Sequence, residues 1–186
     1  MEKKRCPWCE VDDLYRAYHD EEWGVPVYED RKWFEFLMLE GAQAGLSWHT
    51  VLRKRENYRI AFNDFDPIKI AQYGDDKIQQ LLANTGIIRN KLKIQSAVKN
   101  ARAFVKIQED FGSFNDYIWG FTDHQVIQND WSTMTQVPVQ TKEAEAMSKD
   151  LKKRGFNFVG PTICYAFMQA TGMVNDHLKE CWKSKI

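Results

Sequence analysis

A short turn that contains glycine is predicted between two helical segments, and it reads Lys152-Lys153-Arg154-Gly155-Phe156-Asn157-Phe158-Val159-Gly160-Pro161-Thr162. Glycine lets the backbone of such a turn approach a partner closely, and the first N–H groups of the next helix have no partner within it. With the helix dipole behind them, these N–H groups can hold one phosphate of DNA. The three adjacent cations fit that interpretation. Taken alone, however, the stretch is better explained as an ordinary corner between two helices.

Helical periodicity extends outward from this turn over nearly the whole chain. The segment that begins at Ile88 has apolar residues at helical spacing, including Ile94, Val98 and Ala101. Residues 125–140 are polar and broken by Pro138, which predicts an irregular excursion. The predicted helices span residues 30–46, 48–62, 75–84, 88–110, 113–121, 141–154 and 161–171. No segment alternates as a strand does, so we predict an all-α fold.

Residues with known end preferences mark several of these helices. Asp30, Ser47 and Thr141 are predicted N-caps, because their side-chain oxygens can accept from N–H groups of the first turn. Gly86 is expected to end the 75–84 helix. Pro161 stands in a first turn, where its missing N–H costs least.

Length and composition predict one domain over residues 1–186. The chain is 44% hydrophobic, which suffices for one core, and it is short for two domains. Its 26 basic and 26 acidic residues balance but are unevenly spread. Residues 1–40 hold 6 basic and 11 acidic residues, whereas residues 41–110 hold 12 and 7. The middle of the chain can therefore present a basic face to a nucleic acid, although charge runs are usually only solvated helix faces.

No apolar run approaches the roughly 18–20 residues of a membrane span, and the N-terminus lacks the apolar core of a secretory signal. We therefore expect a cytoplasmic protein with no membrane partner. In a reducing cytosol its four cysteines are expected as thiols or zinc ligands rather than disulfides.

Four possible metal ligands are divided between the two ends of the chain. Cys6 and His19 lie near the start, and His177 and Cys181 near the finish. His177 and Cys181 are four residues apart, so on a helix they share one face. Two thiolates and two imidazoles form the tetrahedral set that zinc favours, with no position left for water. The sequence thus predicts one structural zinc ion that ties the two termini together.

Cys9 leaves alternatives open, because Cys6-Pro7-Trp8-Cys9 is itself a Cys-x-x-Cys motif. It can supply two zinc thiolates, or it can form a dithiol redox site. A redox site of that kind follows a strand and precedes a βαβ unit. The preceding residues are Met-Glu-Lys-Lys-Arg, which do not fit that setting.

An acid and an indole stand eight residues apart across small residues, at Glu40 and Trp48. Glu40 continues a helix face that holds Leu37 and Met38, so it can be partly buried. A buried carboxylate without a partner is costly, which favours a cationic or hydrogen-bonding ligand there. A solvent-facing glutamate explains the spacing at least as well. Trp8, Tyr15, Tyr18 and Trp23 crowd the N-terminal stretch, and an acid among such rings would suit a flat cation.

Together these stretches resemble the 3-methyladenine DNA glycosylase I family, the alkylation-repair branch of the helix-hairpin-helix glycosylases. The resemblance runs from Cys6 to about Cys181. The matching motifs are Tyr15-Arg16-Ala17-Tyr18-His19-Asp20, Glu22-Trp23-Gly24-Val25-Pro26, Leu39-Glu40, Gln43-Ala44-Gly45-Leu46-Ser47-Trp48, Gly86-Ile87-Ile88-Arg89, Leu151-Lys152-Lys153-Arg154-Gly155-Phe156, Phe158-Val159-Gly160 and Val174-Asn175-Asp176-His177.

The resemblance implies a helical fold with a DNA-binding hairpin element at about 142–172 and a zinc ion bound by Cys6, His19, His177 and Cys181. It implies that Glu40 contacts the methylated base, with Trp8, Tyr15, Tyr18 and Trp48 around it. DNA contacts fall to Lys153, Arg154, Gly155, Phe158 and Gly160. The implied reaction is hydrolytic excision of N3-methyladenine from alkylated double-stranded DNA, with the free base as product. We expect a monomer. Cys9, Cys164, His49 and His124 receive no functional role.

Two departures from the wider superfamily stand out. The hairpin reads Phe158-Val159-Gly160 rather than Gly-x-Gly, which predicts fewer close backbone contacts to phosphate. Asn175 stands where the wider superfamily has a catalytic Asp, but this branch also lacks that Asp. A base alkylated at N3 is already cationic and leaves without a general acid, so activity is still expected.

Two other classes of function compete with this prediction. A non-catalytic DNA-binding module would bind alkylated DNA without releasing a base. A thiol oxidoreductase built on Cys6 and Cys9 would lose activity when Cys9 is replaced.

Overall fold

The computed structural model describes residues 3–185, and over these residues the chain is 60% helix and 2% strand. This confirms the all-α class. The α-helices are α1 Asp13–Glu21, α2 Asp30–Gln43, α3 Trp48–Leu52, α4 Arg55–Ala61, α5 Pro67–Ala71, α6 Asp75–Ala83, α7 Lys91–Phe111, α8 Phe114–Trp119, α9 Lys142–Lys153 and α10 Pro161–Ala170. Short 3₁₀ segments lie at Pro7–Cys9, Asn63–Phe65, Gly120–Thr122 and Met134–Gln136.

The helix at 48–62 was predicted as continuous, which is wrong. It is divided into α3 and α4 because the N–H of Lys54 donates to the carbonyl of Val51, only three residues back, at 2.9 Å. Such tightening ends an α-helix. Helices α1 and α5 were not predicted at all, although Asp12 and Asp66 cap them by accepting from backbone N–H groups of the first turn.

Two of the three predicted caps are confirmed. Ser47 accepts from the N–H of Thr50, and Thr141 accepts from the N–H of Ala144. Asp30 does not cap its own helix. Its carboxylate instead accepts from the N–H groups of Phe114 and Asn115, at 2.9 Å each, and so ties the start of α8 to the start of α2.

Helix α2 runs through the centre of the molecule, and every residue from Trp33 to Ala42 is buried. It packs against α7, α8 and α10, and rings such as Phe34 against Phe104 fill the space between them. Burying each large apolar side chain contributes about 1.5–3 kcal/mol. Because residues 33–42 are enclosed on all sides, two of the three acids of α2, Glu35 and Glu40, lie inside the protein as well.

Residues 154–160, hereafter the α9–α10 turn, connect two packed helices. Gly155 has φ +95° and Phe158 has φ +55°, so the chain reverses through left-handed conformations. The hydroxyl of Ser148 donates to the carbonyl of Val159 at 2.6 Å and closes the turn against α9.

Residues 125–140 are largely irregular, as predicted. The sequence predicted no strands, but two short ones are present. Ile127–Gln128 (β1) pairs in parallel with Val174–Asn175 (β2), Ile127 opposite Val174. This pair brings the excursion against the C-terminal segment. Within residues 3–185, no helix has the length and apolar character needed to cross a membrane.

Candidate functional site

A cavity of about 200 Å³ opens between α1, α2, α3 and α10. Its lining residues are Trp8, Tyr15, Tyr18, Trp23, Glu40, Gln43, Trp48, Met134, Ala166 and Gln169. Glu40 and the four aromatic residues predicted to surround it therefore lie in one place.

Glu40 is the only acid on this lining, and its side chain is 3% exposed. Its Oε2 has no hydrogen-bond partner in the described part of the chain. Burial raises the pKa of Glu40 to about 8, because the charged form loses its hydration and gains no compensating contact. The solvent-facing alternative for Glu40 is thereby wrong.

Trp48 supplies a matching unpaired group at the same cavity. Its indole Nε1–H is buried and, among residues 3–185, has no acceptor. Native structures leave few buried polar atoms unpaired, and such atoms call for an explanation. An acceptor and a donor both unpaired at one cavity fit a ligand that carries a complementary donor and acceptor.

Aromatic rings form the rest of the cavity wall. The ring of Tyr18 lies 5.4 Å from that of Trp48, and Trp8 lies 5.0 Å from both Tyr15 and Trp23 in edge-on contact. Such rings present π faces that attract a cation. Burial raises the pKa of Tyr18 well above its usual value, so its hydroxyl stays neutral at physiological pH.

Sequence reasoning did not assign several lining residues. Trp23 was noted among the N-terminal aromatic residues but was given no role. Gln43 follows Glu40 by three residues on α2, and that helical spacing was a usable signal. Met134, Ala166 and Gln169 come from distant segments, and no local pattern points to them.

The four predicted metal ligands form a second, fully buried cluster. The ligand atoms of Cys6, His19, His177 and Cys181 all lie within 4.8 Å of one another. Cys181 Sγ is 3.4 Å from His19 Nε2 and 3.5 Å from His177 Nδ1. Cys6 Sγ is 3.8 Å from His177 Nδ1. A tetrahedral zinc site has S-to-N edges of about 3.5 Å, given its usual bond lengths.

The route by which these ligands meet differs from the predicted one. His177 and Cys181 do not share a helix face, because residues 177–181 are not helical: residues 177–178 are irregular and residues 179–180 form a turn. The N–H of Cys181 donates to the carbonyl of Leu178, and the N–H of Trp182 donates to the carbonyl of Lys4. Pairing with the N-terminal segment thus replaces the helix.

Each imidazole of the cluster is oriented through its other nitrogen. Nδ1 of His19 lies 2.9 Å from Oδ1 of Asp20, and Nε2 of His177 lies 3.1 Å from the carbonyl of Trp23. Such contacts set the tautomer and direction of metal-binding histidines. Gly24 permits the approach of His177, because a Cβ at Gly24 would lie 2.9 Å from that Nε2.

The other two cysteines lie outside the cluster. The thiol of Cys9 donates to the carbonyl of Cys6 at 3.1 Å, and Cys164 is buried in α10. All four cysteines are free thiols. Burial raises the pKa of Cys9 to about 11, which opposes the thiolate that dithiol chemistry needs.

The residues predicted to contact DNA differ in how they are held. Lys153, Gly155 and the neighbouring Lys152 are exposed. Arg154, in contrast, donates to Asp150 at 2.6 Å and lies over the rings of Phe111 and Tyr117. Phe158 and Gly160 are half-buried in the α9–α10 turn.

The comparisons with known proteins agree with this architecture. The family model described as methyladenine glycosylase matches residues 8–184. The chain is 50% identical over 178 residues to DNA-3-methyladenine glycosylase 1 of Escherichia coli, covering 96% of this chain and 95% of that protein. A crystal structure of 3-methyladenine DNA glycosylase I superposes with a TM-score of 0.95 at 52% identity, covering 97% of this chain and 99% of the other. A variant of 3-methyladenine DNA glycosylase I in complex with 3-methyladenine superposes with a TM-score of 0.94 at 35% identity, covering 98% and 97%. The chain belongs to the methyladenine glycosylase family.

Proposed function

We propose that this protein is a monofunctional DNA glycosylase that flips N3-methyladenine out of alkylated duplex DNA and excises it by hydrolysis, leaving an abasic site. The observation that carries the proposal is Glu40: a buried carboxylate, unpaired among the described residues, in a cavity walled by aromatic rings. Membership of the methyladenine glycosylase family supports the same reaction.

Glu40 selects for positive charge. Its pKa of about 8 means that the empty cavity keeps it largely protonated near neutral pH. A cationic base that enters the cavity favours the carboxylate, which then accepts a hydrogen bond from the adenine edge. Trp8, Tyr15, Tyr18 and Trp48 surround the base, and each cation–π contact contributes about 0.5–2 kcal/mol. An uncharged adenine gains neither the charge pairing nor this attraction.

The unpaired Oε2 of Glu40 and Nε1–H of Trp48 fit the adenine edge in particular. An exocyclic amino group is a donor, which Glu40 Oε2 can accept, and a ring nitrogen beside it is an acceptor for the Trp48 N–H. Trp48 thus contributes both a ring face and a donor to base recognition.

The chemistry requires no general acid on the protein. Water adds to C1′ of the deoxyribose, the bond from C1′ to N9 breaks, and its electron pair neutralises the cationic base. The proton lost by water passes to solvent. Lesions that weaken stacking lower the few kcal/mol that extrusion of a base costs. Catalysis therefore rests on finding the lesion, holding the extruded base and admitting water to the sugar.

Duplex DNA would be held by the α9–α10 turn, in a helix-hairpin-helix element of about 142–172 within a single domain of 1–186. Lys153, Arg154 and the backbone at Gly155, Phe158 and Gly160 would contact phosphates. Such contacts position the duplex without reading its sequence. Of the two cations, Lys153 has the exposed side chain that a phosphate can reach directly.

The buried cluster would hold one zinc ion, with Cys6, His19, His177 and Cys181 as its four ligands. Their spacing and their sulfur–nitrogen composition fit a closed tetrahedral site. Zinc there supplies folding free energy rather than chemistry, because no coordination position is left for water. The ion joins the N-terminal wall of the cavity, which carries Trp8, Tyr15 and Tyr18, to the C-terminal segment.

The decisive experiment incubates the full-length protein with methylated duplex DNA and identifies released purines by liquid chromatography and mass spectrometry. Untreated duplex is the control. We expect 3-methyladenine to be released from methylated DNA alone. Tight binding of methylated DNA without any released purine would favour the non-catalytic binding module and overturn the proposal.

A further inference from the structure

Helix α7 carries two polar side chains that reach out to two different functional segments. Lys93 and Asn100 are seven residues apart, which is two helical turns, so they lie on one face. Lys93 contacts the end of α2, which carries Glu40, and Asn100 contacts the α9–α10 turn.

Lys93 binds the end of α2. Its Nζ donates to the carbonyls of Ala42 and Ala44 at 2.8 and 2.6 Å, at the end of the helix where carbonyls lack partners within it. Burial lowers the pKa of this lysine. The bonded segment lies between Glu40 and Trp48, so the lysine sets where this end of α2 lies relative to α7.

Asn100 binds the α9–α10 turn through two hydrogen bonds to a single residue. Its Nδ2 donates to the carbonyl of Asn157 at 3.0 Å, and its Oδ1 accepts from the N–H of Asn157 at 2.8 Å. Two bonds to one peptide segment fix both its position and its direction. Asn157 precedes Phe158, where the backbone adopts φ +55°.

The two segments also approach each other directly. A Cβ built at Gly41 would lie 3.5 Å from Cβ of Phe158, an ordinary packing distance. Gly41 is the residue after Glu40. The base-recognition end of α2 and the turn that would hold phosphate are therefore neighbours, and α7 holds both.

We propose that Lys93 and Asn100 are positioning residues that set the separation between the base cavity and the α9–α10 turn. A nucleotide whose phosphates are held by the turn then delivers its base to Glu40 and Trp48 at the distance the backbone can span. This inference rests on the proposed glycosylase function. It differs from the assumption that both side chains only satisfy buried backbone groups, as most buried polar groups do.

The test separates coupling of the two sites from their individual integrity. Lys93→Met keeps the apolar stem and removes the donor, and Asn100→Ala removes both bonds to Asn157. Lys93→Arg restores a cationic donor. Lys99→Met is the matched control, since Lys99 is exposed on the same helix and the substitution removes the same charge.

Three quantities are measured for each variant: the single-turnover rate of 3-methyladenine release from methylated duplex, the Kd for free 3-methyladenine by tryptophan fluorescence, and the Kd for undamaged duplex. We expect Lys93→Met and Asn100→Ala to lower the release rate by roughly 10- to 100-fold, the cost of an ångström-scale misplacement. Both dissociation constants should stay within about twofold, the level at which the contacts of each separate site are intact. Lys93→Arg should recover most of the rate, and Lys99→Met should match the parent protein.

Two outcomes would overturn the inference. Release within twofold of the parent would show that the separation does not depend on these bonds. A parallel fall of release rate, base affinity and duplex affinity would show a merely structural role. Lys93→Met alone decides the matter if Asn100→Ala does not fold. If the parent protein itself releases no purine, the proposed function fails, and that result is distinct from both.

Discussion

Glu35 and Glu40 lie five residues apart on α2 and are each 3% exposed, yet only Glu35 is surrounded by cations. Arg55 donates to Glu35 at 2.7 Å, Arg59 at 3.1 Å, and the Lys32 ammonium lies 3.1 Å away. Glu40 has no such partner among the residues that the structure describes. Of these two buried acids, Glu35 is thus paired within the fold, and Glu40 is unpaired among the described residues.

The burial of Glu40 predicts that Glu40→Gln changes how the free energy of unfolding depends on pH. The pKa of Glu40 is about 8 in the folded protein against 4.5 for the free side chain, so on raising the pH the unfolded chain releases its proton first. The free energy of unfolding of the parent protein should then fall between pH 4.5 and 8 by about 3–5 kcal/mol relative to Glu40→Gln. Urea unfolding at several pH values measures the difference.

Glu35→Gln is the matched control for that experiment. Removing the charge from Glu35 leaves the Arg55 guanidinium short of a partner, so this variant should be less stable than the parent near neutral pH. An unfolding free energy of Glu40→Gln that tracks the parent across the pH range would contradict the assignment of Glu40 as an unpaired acid.

The proposed zinc site predicts which cysteine is needed for zinc binding. Cys181→Ser should abolish stoichiometric zinc in the purified protein and lower the melting temperature, because structural zinc binding is folding free energy. Cys9→Ser is the control, since Cys9 only donates to a backbone carbonyl, and it should retain both zinc and base release. Elemental analysis supplies the zinc content. Loss of zinc in Cys9→Ser would require the ligands to be reassigned.

The two cations at the α9–α10 turn are expected to behave differently. Lys153→Gln should reduce the slope of log affinity for duplex against log salt by about 1, as for one phosphate contact, without affecting stability. Arg154→Gln should lower the free energy of unfolding by about 0.3–1 kcal/mol, because it removes a partly exposed ion pair to Asp150 one helical turn away. Salt titrations of duplex affinity and chemical unfolding are measured for both variants. A stability loss in Lys153→Gln, with a reduced salt slope only in Arg154→Gln, would contradict the prediction.

Gly172 predicts a large stability effect that arises from backbone packing. Its φ is +68°, and a Cβ there would lie 2.3 Å from the carbonyl carbon of Val25. Gly112 has φ +88° but open space around it. Gly112→Ala should therefore cost about 1–3 kcal/mol from backbone strain alone, and Gly172→Ala clearly more. Equal losses in thermal or urea unfolding would mean that the contact with Val25 is relieved at no cost.

Much of the fold follows from local signals in the sequence. The stripe along α7 and the caps Ser47 and Thr141 identified their helices because periodicity and capping act within a few residues. Helix α1 was not predicted, because it lacks a continuous apolar stripe: Tyr15 and Tyr18 line the cavity, and Asp20 contacts His19. Its cap, Asp12, was nevertheless available as a signal.

Some residues of the candidate site could be predicted from the sequence, and others could not. Spacing pointed to Cys6, His19, His177 and Cys181. The last two lie in a non-helical segment, which the N–H of Trp182 joins to the carbonyl of Lys4. Periodicity could not decide whether Glu40 faces solvent, because that depends on α10 and α1 covering it. Gln169 and Met134 reach the cavity only through tertiary packing, so no local pattern predicts them.

The role of Glu40 in base recognition is measured by the rate at which Glu40→Gln releases 3-methyladenine from methylated duplex, together with its affinity for undamaged duplex. Removing a charged hydrogen-bond acceptor of about 1.5–3 kcal/mol predicts a rate roughly 10- to 100-fold below the parent, with duplex affinity unchanged. Release at the full parental rate would contradict the account.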